Sequence, residues 1–184
     1  GRDGKEVGTC NTKVYMYNRP TALDAEGNYY DENGELFVPH IMYHVHDYGI
    51  NGTWDGKEAE ALLEYELLAK AGYNTVQMSP GVFYSPELTL KSLDKLHEFG
   101  LKGMVPLYDG FVAPSRPERI ERATKLIEAI KDHPAVFAYG VFDEPTIGAH
   151  GLTEQDLIDT YRLIRSIDKH HLLNNIPCHR CHKA

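Results

Sequence analysis

The most informative stretch of the chain is His133–Pro134–Ala135–Val136–Phe137–Ala138–Tyr139–Gly140–Val141–Phe142–Asp143–Glu144–Pro145. An apolar run, Ala135–Phe142, follows a helix-ending His-Pro and leads into two adjacent carboxylates and a proline. A short apolar run bounded in this way predicts a strand, and Pro145 ends its hydrogen-bond ladder because it has no N–H to donate. Upstream, Pro117 opens a helix in which Ile120, Ala123, Ile127 and Ile130 recur at three- and four-residue spacing. Downstream, Thr153 and Asp156 resemble a capping box for a helix through Ile158, Tyr161 and Ile164, and Leu172–Ile176 starts another strand.

The same alternation continues toward the N-terminus. Leu101–Tyr108 is a strand, preceded by a helix that Ser85 caps and Pro86 opens, with Leu90, Leu93 and Leu96 inside it and Gly100 as its stop. Asn74–Ser79 is a strand, preceded by a helix from about Lys57 to Ala71 with Leu62, Leu63, Leu67 and Leu68 expected on one face. Leu36–Val45 is the first strand. Before it, Asn33–Gly34 sits between Tyr29–Tyr30 and Leu36–Phe37–Val38, a hairpin signal because both turn residues tolerate positive φ. Residues 1–35 are therefore expected to form an N-terminal β-hairpin or the tail of a preceding β domain, and residues 36–184 a domain of five strands alternating with four helices.

Strand starts recur every 30–35 residues or so, the length of a β/α unit, which implies a parallel sheet with right-handed crossovers. Two architectures fit: an open doubly wound sheet, or a partial (β/α)8 TIM barrel ending near strand five. At 184 residues the chain is too short for a whole barrel, which typically takes about 250. Tyr43–His44–Val45–His46–Asp47 stands where a nucleotide-binding fold would carry a glycine-rich phosphate loop, which argues against that fold. With 19 Lys+Arg against 27 Asp+Glu the net charge is −8, so no electrostatic basis for nucleic-acid binding exists. No apolar stretch approaches a membrane span of roughly 20 residues. The opening residues carry neither a Met nor an apolar h-region, so no targeting segment is expected within the chain.

In parallel β/α proteins, sites form at the C-terminal edge of the strands, where Asp143 and Glu144 stand. A Glu beside apolar Phe142 and a second acid has its neutral form favoured, as a general acid requires. The competing assignment is a solvated turn with Asp143 capping a following helix. The segment "HPAVFAYGVFDEP", together with "GELFVPHIMYHV" at the first strand, resembles clan-A glycoside hydrolases, which are (β/α)8-barrel enzymes such as β-galactosidases, cellulases and mannanases. The resemblance spans roughly Leu36 to Pro177. It implies that Glu144 is the acid/base and that Asp143 replaces the Asn that holds the sugar 2-hydroxyl. It implies hydrolysis of O-glycosidic bonds without a cofactor, a carbohydrate substrate, and a secreted or periplasmic location. The family's nucleophile Glu ends strand seven, which this chain lacks, so the chain by itself is expected to be inactive. Met78–Ser79–Pro80 also departs from the Arg many members carry there.

Other residues at or beyond strand ends are candidates for sugar contact: Trp54, which is the only Trp, with His44, His46, Tyr108 and Asp109, and more weakly Tyr43 and Tyr84. For each, packing or loop anchoring is the competing role. His44 and His46 face the same side of a strand, so they also suit a metal, and His-x-His at strand one resembles the amidohydrolase superfamily. Cys178–His179–Arg180–Cys181–His182 matches a haem-attachment pattern but has no pocket-forming segment after it, and with His170 or His171 it offers zinc ligands from only one Cys-x-x-Cys pair. A third alternative is a non-catalytic, carbohydrate-binding half barrel that self-associates through open sheet edges.

Overall fold

The computed structural model describes residues 24, 26, 28–31, 33–43, 58–78, 85–107, 117–143 and 153–176. Five parallel strands pair in sequence order: β1 (Ile41–Met42), β2 (Thr75–Gln77), β3 (Lys102–Pro106), β4 (Val136–Asp143) and β5 (Leu172–Ile176). Four helices alternate with them: α1 (Glu58–Lys70), α2 (Pro86–Glu98), α3 (Pro117–Ile130) and α4 (Glu154–Ile167). A doubly wound sheet reverses its strand order partway. Unbroken sequential order instead gives a partial (β/α)8 barrel, five strands wide.

The local signals act where the sequence put them. Ser85 Oγ accepts the Leu88 N–H at 3.3 Å at the start of α2. Gly72 and Gly100, at φ 89° and 71°, end α1 and α2 in the left-handed conformation that glycine adopts without strain. β1 is short, and the Asn74 side chain extends its pairing. Its Oδ1 accepts from His40 N at 2.7 Å and its Nδ2 donates to Val38 O at 2.8 Å, two rungs made by an amide in place of backbone.

One face of the sheet packs against the helices through Val76, Met78, Val105, Tyr139 and Val141, with Leu93 and Leu96 of α2 and Leu126 and Ile127 of α3. The buried stripe of α1 is Ala61, Tyr65 and Leu68. Leu63 and Leu67, expected on the buried face, are 55% and 56% exposed. At 100° per residue they lie opposite that stripe, and leucines on both faces left the periodicity ambiguous. In α4 likewise, Ile164 and Thr160 are buried, whereas Ile158 and Tyr161 are exposed. The large apolar side chains left exposed on helices thus lie on α1 and α4, the first and last described helices, and on neither α2 nor α3.

The inner face is closed at its N-terminal end. The chain reverses through Asn33–Gly34, pairing Tyr30 with Leu36 antiparallel, and sends Tyr29 and Phe37 onto Phe137 of β4. The three rings meet at centroid distances of 5.0–5.8 Å, and Met104, Ala138 and Leu172 complete the cluster. Lys102, 9% exposed, donates to Pro134 O at 3.0 Å and lays its ammonium over the Phe37 ring.

β4 carries two bulges. Gly103 and Met104 pair with Val136 and Ala138, leaving Phe137 extra, and Asn174 and Asn175 pair with Gly140 and Phe142, leaving Val141 extra. At the first bulge the pleat shifts by one residue: Phe137 and Ala138 both join the inner cluster, whereas Val136 and Tyr139 pack on the helix side.

On the helix side of β3, a Cβ added at Gly103 would stand 2.7 Å from Met78 Sδ and 3.1–3.2 Å from Leu93 and Leu96. Gly103→Val should therefore cost about 1–3 kcal/mol through overpacking. Gly103→Ala should cost less, since the flexible Met78 can retreat. Urea denaturation midpoints of the two variants check both the sign and the order.

Candidate active site

All five strands run the same way, so the chain leaves each at one common edge: after Met42, Gln77, Pro106, Asp143 and Ile176. The opposite end of the inner face is sealed by the Tyr29–Phe37–Phe137 cluster. The C-terminal edge is where parallel sheets hold their sites.

Asp143 is the last residue of β4 and pairs with Ile176 of β5. Glu144 follows it directly and lies outside the described residues, as do His44, His46, Trp54, Tyr84, Tyr108, Asp109 and the Cys178–His182 motif. Tyr43, just past β1, is 53% exposed. The structure thus puts the backbone of Asp143 at the C-terminal edge of the sheet.

Three inner-face polar residues stand out that sequence reasoning passed over. Thr75 and Gln77 on β2 are buried, at 0% and 4% exposure, and Asn174 on β5 is exposed. Their signal was the alternation Thr75–Val76–Gln77–Met78, in which the apolar residues face the helices. Among the described residues no cluster of three or more His, Cys, Asp or Glu could hold a metal, and no helix is long and apolar enough to cross a membrane.

The strongest buried polar network lies on the other side of the sheet. Asp168, which ends the α4 turn, accepts the Tyr139 hydroxyl and the His171 Nδ1 on its Oδ2, each at 2.7 Å. Its Oδ1 accepts the backbone N–H groups of His170 and His171, while Arg165 donates to His171 O at 2.8 Å. Burial disfavours the Asp168 carboxylate, but the His171 hydrogen bond and charge, with the remaining donors, outweigh it and hold the group well below the usual carboxylate range. Burial, then the Asp168 charge, pushes the Tyr139 hydroxyl well up, so it stays a proton donor. The network faces the helices, so its role is to tie β4 to the α4–β5 turn. His133 is structural too: its Nδ1 accepts from Ala135 N, which leaves Nε2 to donate to Asp94 Oδ1, both at 3.1 Å.

No protein-family model matches this sequence, and no curated protein matches it. Solved structures do. A glycoside hydrolase superposes with a TM-score of 0.64 at 17% identity over 87% of this chain and 41% of its own. A putative glycoside hydrolase from Bacteroides vulgatus gives 0.61 at 17% identity over 89% of this chain and 40% of its own. A glycoside hydrolase family 5 protein from the same organism gives 0.61 at 17% identity over 86% and 39%. At these identities the likeness is one of fold, and the chain spans about 40% of the length of these structures.

The Asp168 network sets a pH dependence. The folded carboxyl titrates below its unfolded value of about 3.9, so the unfolded chain takes up the proton first. Its stabilisation is complete above that value and is lost as pH falls through the folded one. Asp168→Asn should cost about 3 kcal/mol at pH 7 and flatten the loss of stability below about pH 4. Urea melts at pH 7 and pH 3 would show it; equal losses for both proteins between the two pH values would count against the assignment.

Proposed function

We propose that this chain is the acid/base-bearing part of a glycoside hydrolase barrel. The observation that supports the proposal is that β4 closes at Asp143, the residue before Glu144 in the sequence, at the C-terminal edge of a parallel sheet whose N-terminal end is packed by aromatic side chains. The likeness of fold to glycoside hydrolase barrels supports it. In this reading Glu144, neutral beside Asp143 and Phe142, protonates the glycosidic oxygen as the bond to the anomeric carbon breaks. It then removes a proton from the water that completes hydrolysis. Asp143 accepts a hydrogen bond from the sugar 2-hydroxyl but, unlike the family's Asn, cannot donate one, and its charge raises the Glu144 pKa. The nucleophile is a Glu at the end of a seventh strand in a longer polypeptide, since a retaining mechanism needs a second carboxyl about 5–5.5 Å away. Trp54, His44, His46, Tyr108 and Asp109 supply sugar contacts from the loops at the same edge. No cofactor takes part, and a secreted or periplasmic location suits a polysaccharide substrate.

In the full-length protein, Glu144→Gln should lower kcat/KM on unactivated glycosides by about 10²–10⁴-fold. Substrates whose leaving group needs no proton, such as dinitrophenyl glycosides, should be affected much less. Equal activity of variant and parent on an unactivated disaccharide would remove Glu144 from the mechanism.

A second reading, a half barrel that assembles through its open flanks, is favoured by the exposed Leu63 and Leu67 on α1 and Ile158 and Tyr161 on α4, the first and last described helices. It predicts that the 184-residue chain elutes from gel filtration above its monomer mass and that Leu67→Lys with Tyr161→Ser lowers that mass. A monomeric parent chain would discard it.

A further inference from the structure

β5 alternates between the two sides of the sheet. Leu172 joins the inner cluster with Phe137 and Met104, Leu173 packs on the helix-facing core, and Asn174 returns to the inner face. There its Nδ2 donates to Met104 Sδ at 3.4 Å. Met104 and Asn174 come from alternate strands and meet across β4, where Ala138 and Gly140 present little or no side chain. Such a layer of alternate-strand residues is what fills a barrel interior. A polar amide is an odd filler. A thioether is a weak acceptor, and among the described residues the Asn174 side chain makes no other hydrogen bond. Among the described residues one N–H and the carbonyl thus meet no partner on a side chain that stays exposed, while the inner-face polar residues Thr75, Gln77 and Lys102 are buried.

The position is as telling as the chemistry. Asn174 pairs with Gly140, which pairs in turn with Pro106, so the row beside the amide offers backbone and a proline ring rather than a competing polar side chain. Two residues further along β5, about 7 Å, Ile176 pairs with Asp143. Asn174 therefore lies one step below the strand ends from which Glu144 follows.

We infer that Asn174 is a substrate-contacting residue that selects the configuration of a ring hydroxyl on the sugar held at the C-terminal edge. The inference rests on the glycoside hydrolase reading. An amide donates and accepts, as a hydroxyl does, so the matching epimer satisfies both groups. The other epimer leaves the amide unpaired beneath a ligand that has excluded water, and unpaired polar groups are what let a site reject a substrate.

The test uses the full-length protein and 4-nitrophenyl β-D-glucoside, galactoside, mannoside and xyloside, with calorimetric binding of the corresponding free sugars. Asn174→Ala and Asn174→Leu should lower kcat/KM for the best of the four by about tenfold or more and compress its ratio to the next. Asn174→Asp, which keeps an acceptor, should restore part of that ratio. Asn174→Leu fills the same space, so its melting temperature should hold. An active parent whose variants keep the parent's ratios overturns the inference alone, and so does a fall in melting temperature at unchanged ratios, which would make Asn174 a barrel filler. A parent that neither hydrolyses nor binds any of the four overturns the glycoside hydrolase reading and this inference together.

Discussion

Tyr29, Phe37 and Phe137 seal the N-terminal end of the inner sheet face, and the rest of the architecture follows from that seal. A parallel sheet has two faces that water must not reach. The helices cover one through Leu93, Leu96, Leu126 and Ile127. The other is capped from below by a reversal that precedes the first strand, with Lys102 laid over Phe37 and tied to Pro134 O. With that end packed, the C-terminal strand ends remain the end of the inner face without such an aromatic cluster among the described residues.

Stability and chemistry are thereby separated across the thickness of the sheet. Tyr139 points toward the helices and meets Asp168, whose carboxylate gathers a phenol, an imidazole and two backbone N–H groups. Four residues later the same strand ends at Asp143, at the C-terminal edge of the sheet. Anchoring β4 from behind leaves its far end available for carboxylates that a packed core would not tolerate. The two bulges serve the same strand. Each adds a residue opposite a shorter partner and increases local twist, and bulges are over-represented near active sites.

The exposed apolar residues carry a further consequence of the partial barrel. Those on helices lie on α1 and α4, and among the described residues the outermost strands are β1 and β5. Interior helices α2 and α3 show no such side chains because each has a neighbour on both flanks.

Much of this was legible in the residues. Ser85, Gly72, Gly100 and the Pro-opened helices mark element boundaries because capping and positive φ are local constraints, satisfied within a few residues whatever the rest of the chain does. The 30-residue period and the carboxylates at the end of an apolar strand likewise follow from covalent sequence. Tertiary structure alone decided three matters. It chose a barrel over a doubly wound sheet, because strand order depends on which neighbours pair. It chose Ala61–Tyr65–Leu68 over Leu63–Leu67 as the buried stripe of α1, because a helix apolar on both faces buries the one that finds a partner. It also shifted the pleat of β4 at Phe137 and Val141 and left Asn174 with an amide facing inward, because register is set by two strands at once and neither sequence contains it.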